Sequence, residues 1–401
     1  MLHLFHCHLI EWAYRLMKIL IVTTGYPRCE GDIFGNFVQD LANNLVHHEL
    51  QISVLAPHEK GLPFFRKEYG VAVYRLPYFP CCASVAYGSG IPTNLKKISC
   101  KIQLPFFILG MMFWTCLLSF KHQLIHSQWS MGGFFALSTF WLHRKPVVTT
   151  YHGSDLNSSG VLKKLSSFVA KRSHQNICVS KAQQEVLQPL SSQVCPYTID
   201  TDRFISVDSS EKKEIKKELG VHLEKKILLY VGSIIPVKQP KLLVEIILKI
   251  DEGIQLLWVG QGMLMETIQK MVIEMNLSDK IEIIGHVPYQ NIHKYFQIAD
   301  CHILTSKSEG RPNVIYQAMA SSVPSVSTAV GGIPEMIDDN ASGRLLEPVA
   351  ETFAKAINEL MHDPERLNRL GQHARLKLEK LNCDKKSVYQ IHHKVYSDHI
   401  N

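Results

Sequence analysis

The run Cys301-His302-Ile303-Leu304, followed by Thr305-Ser306-Lys307-Ser308-Glu309-Gly310-Arg311-Pro312-Asn313-Val314-Ile315-Tyr316-Gln317-Ala318-Met319-Ala320, decides how the chain is read. Its apolar start predicts a buried strand, Gly310 and Pro312 lie in a polar turn, and Val314 to Ala320 predicts a helix free of Gly and Pro. Strand, loop and helix N-terminus together present free backbone N–H groups to an anion. Pro312 sits where a first-turn proline is tolerated. Glu309 falls in the loop and Gln317 about one turn into the helix, so both side chains can reach one ligand. An ordinary strand–helix turn with solvated polar residues has the same pattern, and the stretch alone leaves both readings open.

The pattern repeats outward in both directions. Ile19 to Thr23 predicts a parallel-type strand entering a loop, Arg28 to Gly35, that carries Gly31 and Gly35. A helix follows from Asn36 to about His48, then a strand at Ile52 to Leu55, a mononucleotide-type unit. Leu124 to Trp129 and Pro146 to Asp155 predict strands that place His126 and His152 at their carboxyl ends, where open α/β sheets bind ligands. His152, followed by Gly-Ser-Asp, is the better placed of the two to touch a ligand. Asn176 to Ser180 is a further strand, with Ser180 as a helix N-cap.

Thr198 to Phe204, before a charged segment at 208–226, marks a boundary. A second set follows: Ile227 to Val231, with Lys238 just before a helix at about 240–250; Leu256 to Val259, turning at Gly260; Ile281 to Ile284, leading to Val287; Ala299 to Leu304; and Ser325 to Thr328, which closes it. The expected fold is α/β: two doubly wound, Rossmann-like domains facing across a cleft, at 17–198 and 199–380. A last helix in 381–401 is expected to pack back on the first domain. Residues 1–16, with His3, His6, His8 and Glu11, make a poor signal peptide and read as an extension or a misplaced start before Met17.

A chain of 401 residues needs more than one core. Charge is uneven: residues 1–200 hold 18 Lys and Arg against 10 Asp and Glu, a net +8, and the remainder nets −1. The basic half points to an anionic partner, a phosphate compound or an acidic membrane surface. Nucleic acid is not indicated, because the basic residues are scattered without aromatic interleaving. The ten cysteines form no C-x-x-C pair and the histidines no metal-ligand pattern beside a carboxylate. Reduced cytosolic thiols and no metal are expected. Leu104 to Phe120 lacks any charge but is short for a span and is interrupted by Pro105 and Gly110. Buried helix, membrane-surface helix and true span compete in that order, with Lys96, Lys97, Lys101 and Lys121 beside it.

Set in order, these motifs resemble the GT-B retaining glycosyltransferases of family 4, "glycosyltransferase group 1", from Met17 to about Tyr396. The resemblance is carried by Gly-Tyr-Pro with the Gly31/Gly35 loop, Ile-His-Ser-Gln-Trp at 125–129, Thr-Tyr-His-Gly-Ser-Asp at 150–155 and Val-Ser-Lys at 179–181. Ile-Asp-Thr-Asp-Arg-Phe at 199–204, Val-Gly-Gln-Gly at 259–262, Gly-His-Val-Pro at 285–288, Glu-Gly-Arg-Pro-Asn-Val at 309–314 and Gly-Gly-Ile-Pro-Glu at 331–335 complete it. It implies a nucleotide-sugar donor in the second domain and a glycan or polyprenyl/lipid-linked acceptor, with no metal or other cofactor. It implies catalytic roles for His152, Lys238 and Glu309, and donor contacts from Ser233, Gly260, Val287, Arg311, Pro312, Asn313, Val314 and Gln317. The Gly31–Gly35 loop would face the diphosphate and acceptor. A cytoplasmic site at the inner face of a membrane, in surface polysaccharide or glycolipid synthesis, is the implied setting.

Two departures stand out. Gln317 replaces the second glutamate of the family's Glu-x7-Glu pattern, which weakens a ribose contact by about 1 kcal/mol. Ser233 stands where the family has arginine, and losing one preorganised donor to transition-state charge costs roughly 3–4 kcal/mol. They motivate an alternative, a catalytically weakened member acting as a binding or partner subunit. Tyr197-Thr198 replace an Asn-Gly turn, read here as structural only.

Overall fold

The computed structural model describes residues 17–400 apart from 30, 33, 80–84, 88–90, 154, 157 and 158; the segment 1–16 lies outside them. Two sheets organise the chain. The first holds β1 (Lys18–Val22), β2 (Gln51–Leu55), β3 (Phe65–Glu68), β4 (Val71–Tyr74), β5 (Leu124–Gln128), β6 (Val147–Tyr151), β7 (Gln175–Cys178) and β8 (Ser192–Val194), in the order β3-β4-β2-β1-β5-β6-β7-β8. Among these strands of the described residues, only the β3–β4 pair is antiparallel. The second holds β9 (Lys226–Val231), β10 (Ile254–Val259), β11 (Ile281–Gly285), β12 (Cys301–Leu304), β13 (Ser325–Thr328) and β14 (Gly343–Leu346), in the order β11-β10-β9-β12-β13-β14, with every pairing parallel.

Both sheets are double-wound because helices cover both faces. Residues of β1 alternate between two cores: Ile19 and Ile21 pack with Val38 and Leu45, whereas Leu20 and Val22 pack with Phe107, Met111 and Phe135. The order reverses between β1 and β5 in the first sheet and between β9 and β12 in the second. Loops leaving the two strands at a reversal splay to opposite faces and open a crevice at their carboxyl ends. Each domain contributes one such crevice.

The helix Lys385–Ser397 returns to the first domain: Val388, Val395 and Tyr396 are buried in the core that contains Ile19, and the Asn44 amide donates to the Lys385 carbonyl at 2.8 Å. The strands β3, β8 and β14 were not anticipated. Each sits at or beside a sheet edge and lacks a continuous apolar run (Phe-Arg-Lys-Glu, Ser-Gln-Val and Gly-Arg-Leu-Leu), so burial leaves no mark in their sequence.

The expectation of a buried helix at 104–120 needs correction. The helix runs Ile98–Ser119, straight through Pro105 and Gly110. Cys100, Phe107, Met111 and Cys116 face the core, and a Cβ on Gly110 would stand 2.7 Å from Tyr78 Cβ. The opposite side is open: Ile98, Ile102, Phe106, Leu109, Phe113, Leu117 and Phe120 are between 48% and 74% exposed. A helix that is apolar all round carries no periodic signal of which side is buried.

Candidate active site

The reversal between β9 and β12 brings their loops side by side. Lys238 ends a short 3-10 turn, Pro236–Lys238, after β9, and Glu309 lies in the loop after β12. The Lys238 ammonium is ion-paired with the Glu309 carboxylate, and Ser306 Oγ donates to the same oxygen at 2.5 Å. Thr305 Oγ1 donates to the Lys238 carbonyl at 2.9 Å and Lys307 N donates to the Val237 carbonyl at 2.8 Å, which stitches the two loops together. With 20% of the lysine and 10% of the glutamate side chain exposed, the pair is largely withdrawn from water.

Directly beyond, the helix Asn313–Ala320 starts with Pro312 at its N-cap position. Its first-turn N–H groups lack intrahelical acceptors by geometry and point out of its N-terminus. Asn313 Oδ1 is buried without a protein partner, an acceptor left open at the same helix start. Gly260 (φ +142°) is required by close approach, since a Cβ there would lie 1.9 Å from the Gly232 carbonyl. Its N–H donates to the Gly285 carbonyl at 2.7 Å, so the loops after β9, β10 and β11 are locked to one another.

The other expected donor residues fall in different places. Ser233 turns its carbonyl toward Ile235 N at 3.1 Å, and no cation stands at its position. Val287 is 8% exposed and belongs to the second domain's core, so its neighbours His286 and Pro288 face the cleft instead. Gln317 is buried and hydrogen-bonded to the Tyr289 hydroxyl. The Arg311 side chain points away from the helix N-terminus: Nη1 donates to the Val179 carbonyl at 3.1 Å and Nη2 lies 3.6 Å from Glu335 Oε2. Glu335 in turn accepts from Ala182 N at 3.0 Å, so Arg311 and Glu335 clasp the two domains. Only the backbone of Arg311 remains as a donor contact.

On the opposite wall, Gly31 lines a cleft of about 690 Å³ with Arg28, Cys29, Asp32, Gln261, His286, Pro288 and Gln290. Gly35 does not face it. It is buried at the N-cap of the helix Asn36–His47 with φ +81°, where a Cβ would lie 2.5 Å from the Gly25 carbonyl. Sequence reading missed Arg28, whose guanidinium is held by Asp32 at 2.6 Å and Glu59 at 3.1 Å. Its place in the loop after a central strand was the available signal.

His152 closes the site from the first domain. A Cβ on Gly310 would stand 2.3 Å from the His152 carbonyl, and one on Gly153 would stand 2.7 Å from Gly310 Cα, so two glycines bring this loop against the one bearing Glu309. His152 Nε2 lies 2.8 Å from Gln128 Oε1 and Nδ1 lies 2.7 Å from the Tyr197 hydroxyl. Burial drives its pKa down to about 3, so the ring is neutral. The wholly buried His126, His302 and His392 are lowered as well, the last two to about 3 and about 4, again by burial.

These three have a measurable consequence. The unfolded chain binds their protons below about pH 6.5 and the folded chain does not, so stability is complete above that pH and is lost as pH falls toward 4. Each contributes a slope of about 1.4 kcal/mol per pH unit in that window. The urea midpoint is expected to drop steeply between pH 6.5 and 4.5; a flat profile would show these imidazoles to be charged in the fold.

Two facing double-wound domains, with a lysine–carboxylate pair and a helix N-terminus in the cleft, are the arrangement of the GT-B fold. The family model described as "Glycosyltransferase Family 4" matches residues 34–203, and the one described as "Glycosyl transferases group 1" matches residues 211–377. The chain belongs to glycosyltransferase family 4. It is 28% identical over 372 residues to the putative teichuronic acid biosynthesis glycosyltransferase TuaC of Bacillus subtilis, covering 86% of this chain and 90% of that one. It is 23% identical over 370 residues to the GDP-mannose-dependent alpha-(1-6)-phosphatidylinositol monomannoside mannosyltransferase of Mycobacterium tuberculosis, covering 89% and 92%. Among solved structures, the sucrose-phosphate synthase of Thermosynechococcus elongatus superposes with a TM-score of 0.81 at 18% identity, covering 95% of this chain and 98% of that one. Anabaena HepE in complex with UDP-glucose superposes at 0.77 and 16% identity, covering 95% and 100%.

Proposed function

We propose that this glycosyltransferase moves a sugar, with retention of anomeric configuration and without a metal, from a nucleoside-diphosphate sugar to a glycan or lipid-linked acceptor at the inner face of a membrane. The observation that carries the reading is the meeting of Lys238 and Glu309 beside the N-terminus of the helix Asn313–Ala320, under the His152 loop. Lys238 is the point charge for the departing diphosphate, and the N–H groups of Arg311, Asn313 and Val314 share that charge. Glu309 holds the lysine until an anion enters, then accepts from sugar hydroxyls. His152 touches the sugar from the other domain without adding charge. Gln317 meets the ribose alongside Tyr289, and Gly31 faces the diphosphate and acceptor. The acceptor oxygen bonds to the anomeric carbon on the face from which the phosphate leaves. Its proton passes to the departing phosphate oxygen. HepE's complex with UDP-glucose supports the donor class, and a relative named for a phosphatidylinositol mannoside supports a lipid-linked acceptor.

The membrane setting rests on charge and exposure together. Between Glu68 and Glu185 the chain has one acidic residue, Asp155, and twelve Lys and Arg. The open apolar stripe of the helix Ile98–Ser119 lies in this segment, next to exposed Trp141 and Leu142. A face of that kind fits an acidic bilayer, into which the stripe inserts while the lysines meet headgroups. The double substitution Phe106→Glu with Phe113→Glu is expected to abolish sedimentation with anionic vesicles and leave the thermal midpoint within a few degrees. Retained vesicle binding would remove the membrane from this account.

A second reading, a partner subunit with weakened catalysis, is favoured by Ser233 and Gln317. Incubation with UDP-, GDP- and ADP-sugars and a membrane lipid extract, with and without EDTA, separates the two. Transfer from one donor class, unchanged by EDTA, is expected; no turnover of any donor would leave the partner-subunit reading.

A further inference from the structure

The buried polar groups behind His152 form one directed chain. The Gln128 amide nitrogen lies 3.1 Å from His126 Nε2, and its oxygen lies 2.8 Å from His152 Nε2. An amide donates through nitrogen and accepts through oxygen, so His152 carries its proton on Nε2 and leaves Nδ1 as an acceptor for the Tyr197 hydroxyl at 2.7 Å. By the same logic His126 accepts at Nε2, where Thr150 Oγ1 also lies at 2.7 Å, and donates from Nδ1 to the Tyr396 hydroxyl at 2.7 Å. Gln128, His126 and Tyr396 are essentially inaccessible to water. Phe37 and Trp129 pack on the His152 ring at 4.6 and 4.8 Å between centroids, which fixes its plane.

The two tyrosines have a topological meaning. The chain crosses between the domains twice: after β8 toward the helix Ser209–Leu219, and again into the helix Lys385–Ser397. Tyr197 lies on the first crossing and Tyr396 in the last turn of the helix to which the second leads, and each sends its hydroxyl to one histidine of the pair that Gln128 joins. Tyr197 also occupies the Asn-Gly position that the sequence reading treated as a turn alone; the structure gives its side chain a polar partner in the site.

We infer that Tyr197 is a positioning residue for glycosyl transfer: from the interdomain crossing it holds His152 as the neutral Nε2–H tautomer, with Gln128 as the opposing acceptor. The inference rests on the reading of His152 as the sugar-facing group. The charged and titratable groups facing His152 are Asp155, whose carboxylate accepts from His152 N at 3.3 Å, and His126 through Gln128. Neither replaces the Tyr197 donor at Nδ1. Without that donor Nδ1 has no protein partner among the described residues, and Gln128 is left as the sole hold on the tautomer, which its amide releases by turning over, so that the fixed tautomer gives way to a mixture.

The test uses the full chain labelled with 15N-histidine, compared as wild type, Tyr197→Phe and Gln128→Leu. Long-range proton–nitrogen spectra are expected to show His152 of the wild type as a single Nε2–H tautomer from pH 5 to 8. Tyr197→Phe, which keeps the ring and its packing, is expected to show both tautomers, and Gln128→Leu to lose the Nε2–H preference. In the transfer assay Tyr197→Phe is expected to lower kcat about tenfold with little change in donor KM. A folded Tyr197→Phe protein with the wild-type tautomer would overturn the inference whatever its activity. Altered tautomers with unchanged kcat would instead sever His152 from the reaction, which strikes the functional reading and leaves the spectroscopic result standing.

Discussion

Lys238→Ala is expected to lower the rate of sugar transfer by about a thousandfold, with donor binding weakened as well. Removal of one preorganised charge or donor that meets leaving-group charge costs roughly 3–4 kcal/mol in the transition state. The two arginines of the site are engaged elsewhere: Arg311 is occupied by Val179 and Glu335, and Arg28 by Asp32 and Glu59. The fold should tolerate the change, because Glu309 keeps the hydroxyl of Ser306 and the loops keep their Thr305 and Lys307 bonds. Steady-state kinetics at saturating donor, with a thermal melt as control, checks this. A rate within threefold of wild type would remove Lys238 from the chemistry.

Ser233→Arg is the reverse experiment and the more revealing one. The position sits five residues before Lys238 in the loop after β9, on the wall of the same crevice. An arginine there can meet two phosphate oxygens with its planar fork, which a lysine cannot do. If the site works with Lys238 and the helix N-terminus alone, the added guanidinium is expected to raise kcat/KM about a hundredfold. A fall in rate instead would show that serine leaves room for a donor group this chain has adapted to. That outcome would also end the view of Ser233 as a lesion.

Much of this was legible in the residues because strands that are buried on both faces leave continuous apolar runs. Ile19 to Val22, Ile227 to Val231 and Cys301 to Leu304 announce themselves, and the alternation with helices fixes the double-wound sheets. The proximity of Lys238 and Glu309, 71 residues apart, follows from strand order, which the resemblance supplied and the switch between β9 and β12 explains. Edge strands such as β14 and the open side of the helix Ile98–Ser119 were illegible for one reason: neither has an apolar–polar contrast to read. The direction of long side chains was equally hidden. Arg311 reaches away from the helix start to clasp Val179, Val287 turns into the core, and Tyr197 reaches across a crossing to His152. Each depends on packing between elements distant in sequence, which no local pattern records.

The crevice at Lys238, Glu309 and the helix Asn313–Ala320 is expected to bind a nucleotide-activated sugar. Thermal unfolding of the full chain against a panel of UDP-, GDP- and ADP-sugars tests it directly, since a ligand of the native state at a hundred times its Kd adds about 2.7 kcal/mol. A rise of a few degrees with one base class, abolished in Lys238→Ala, is expected. No shift with any nucleotide sugar, or an equal shift in wild type and Lys238→Ala, would contradict it.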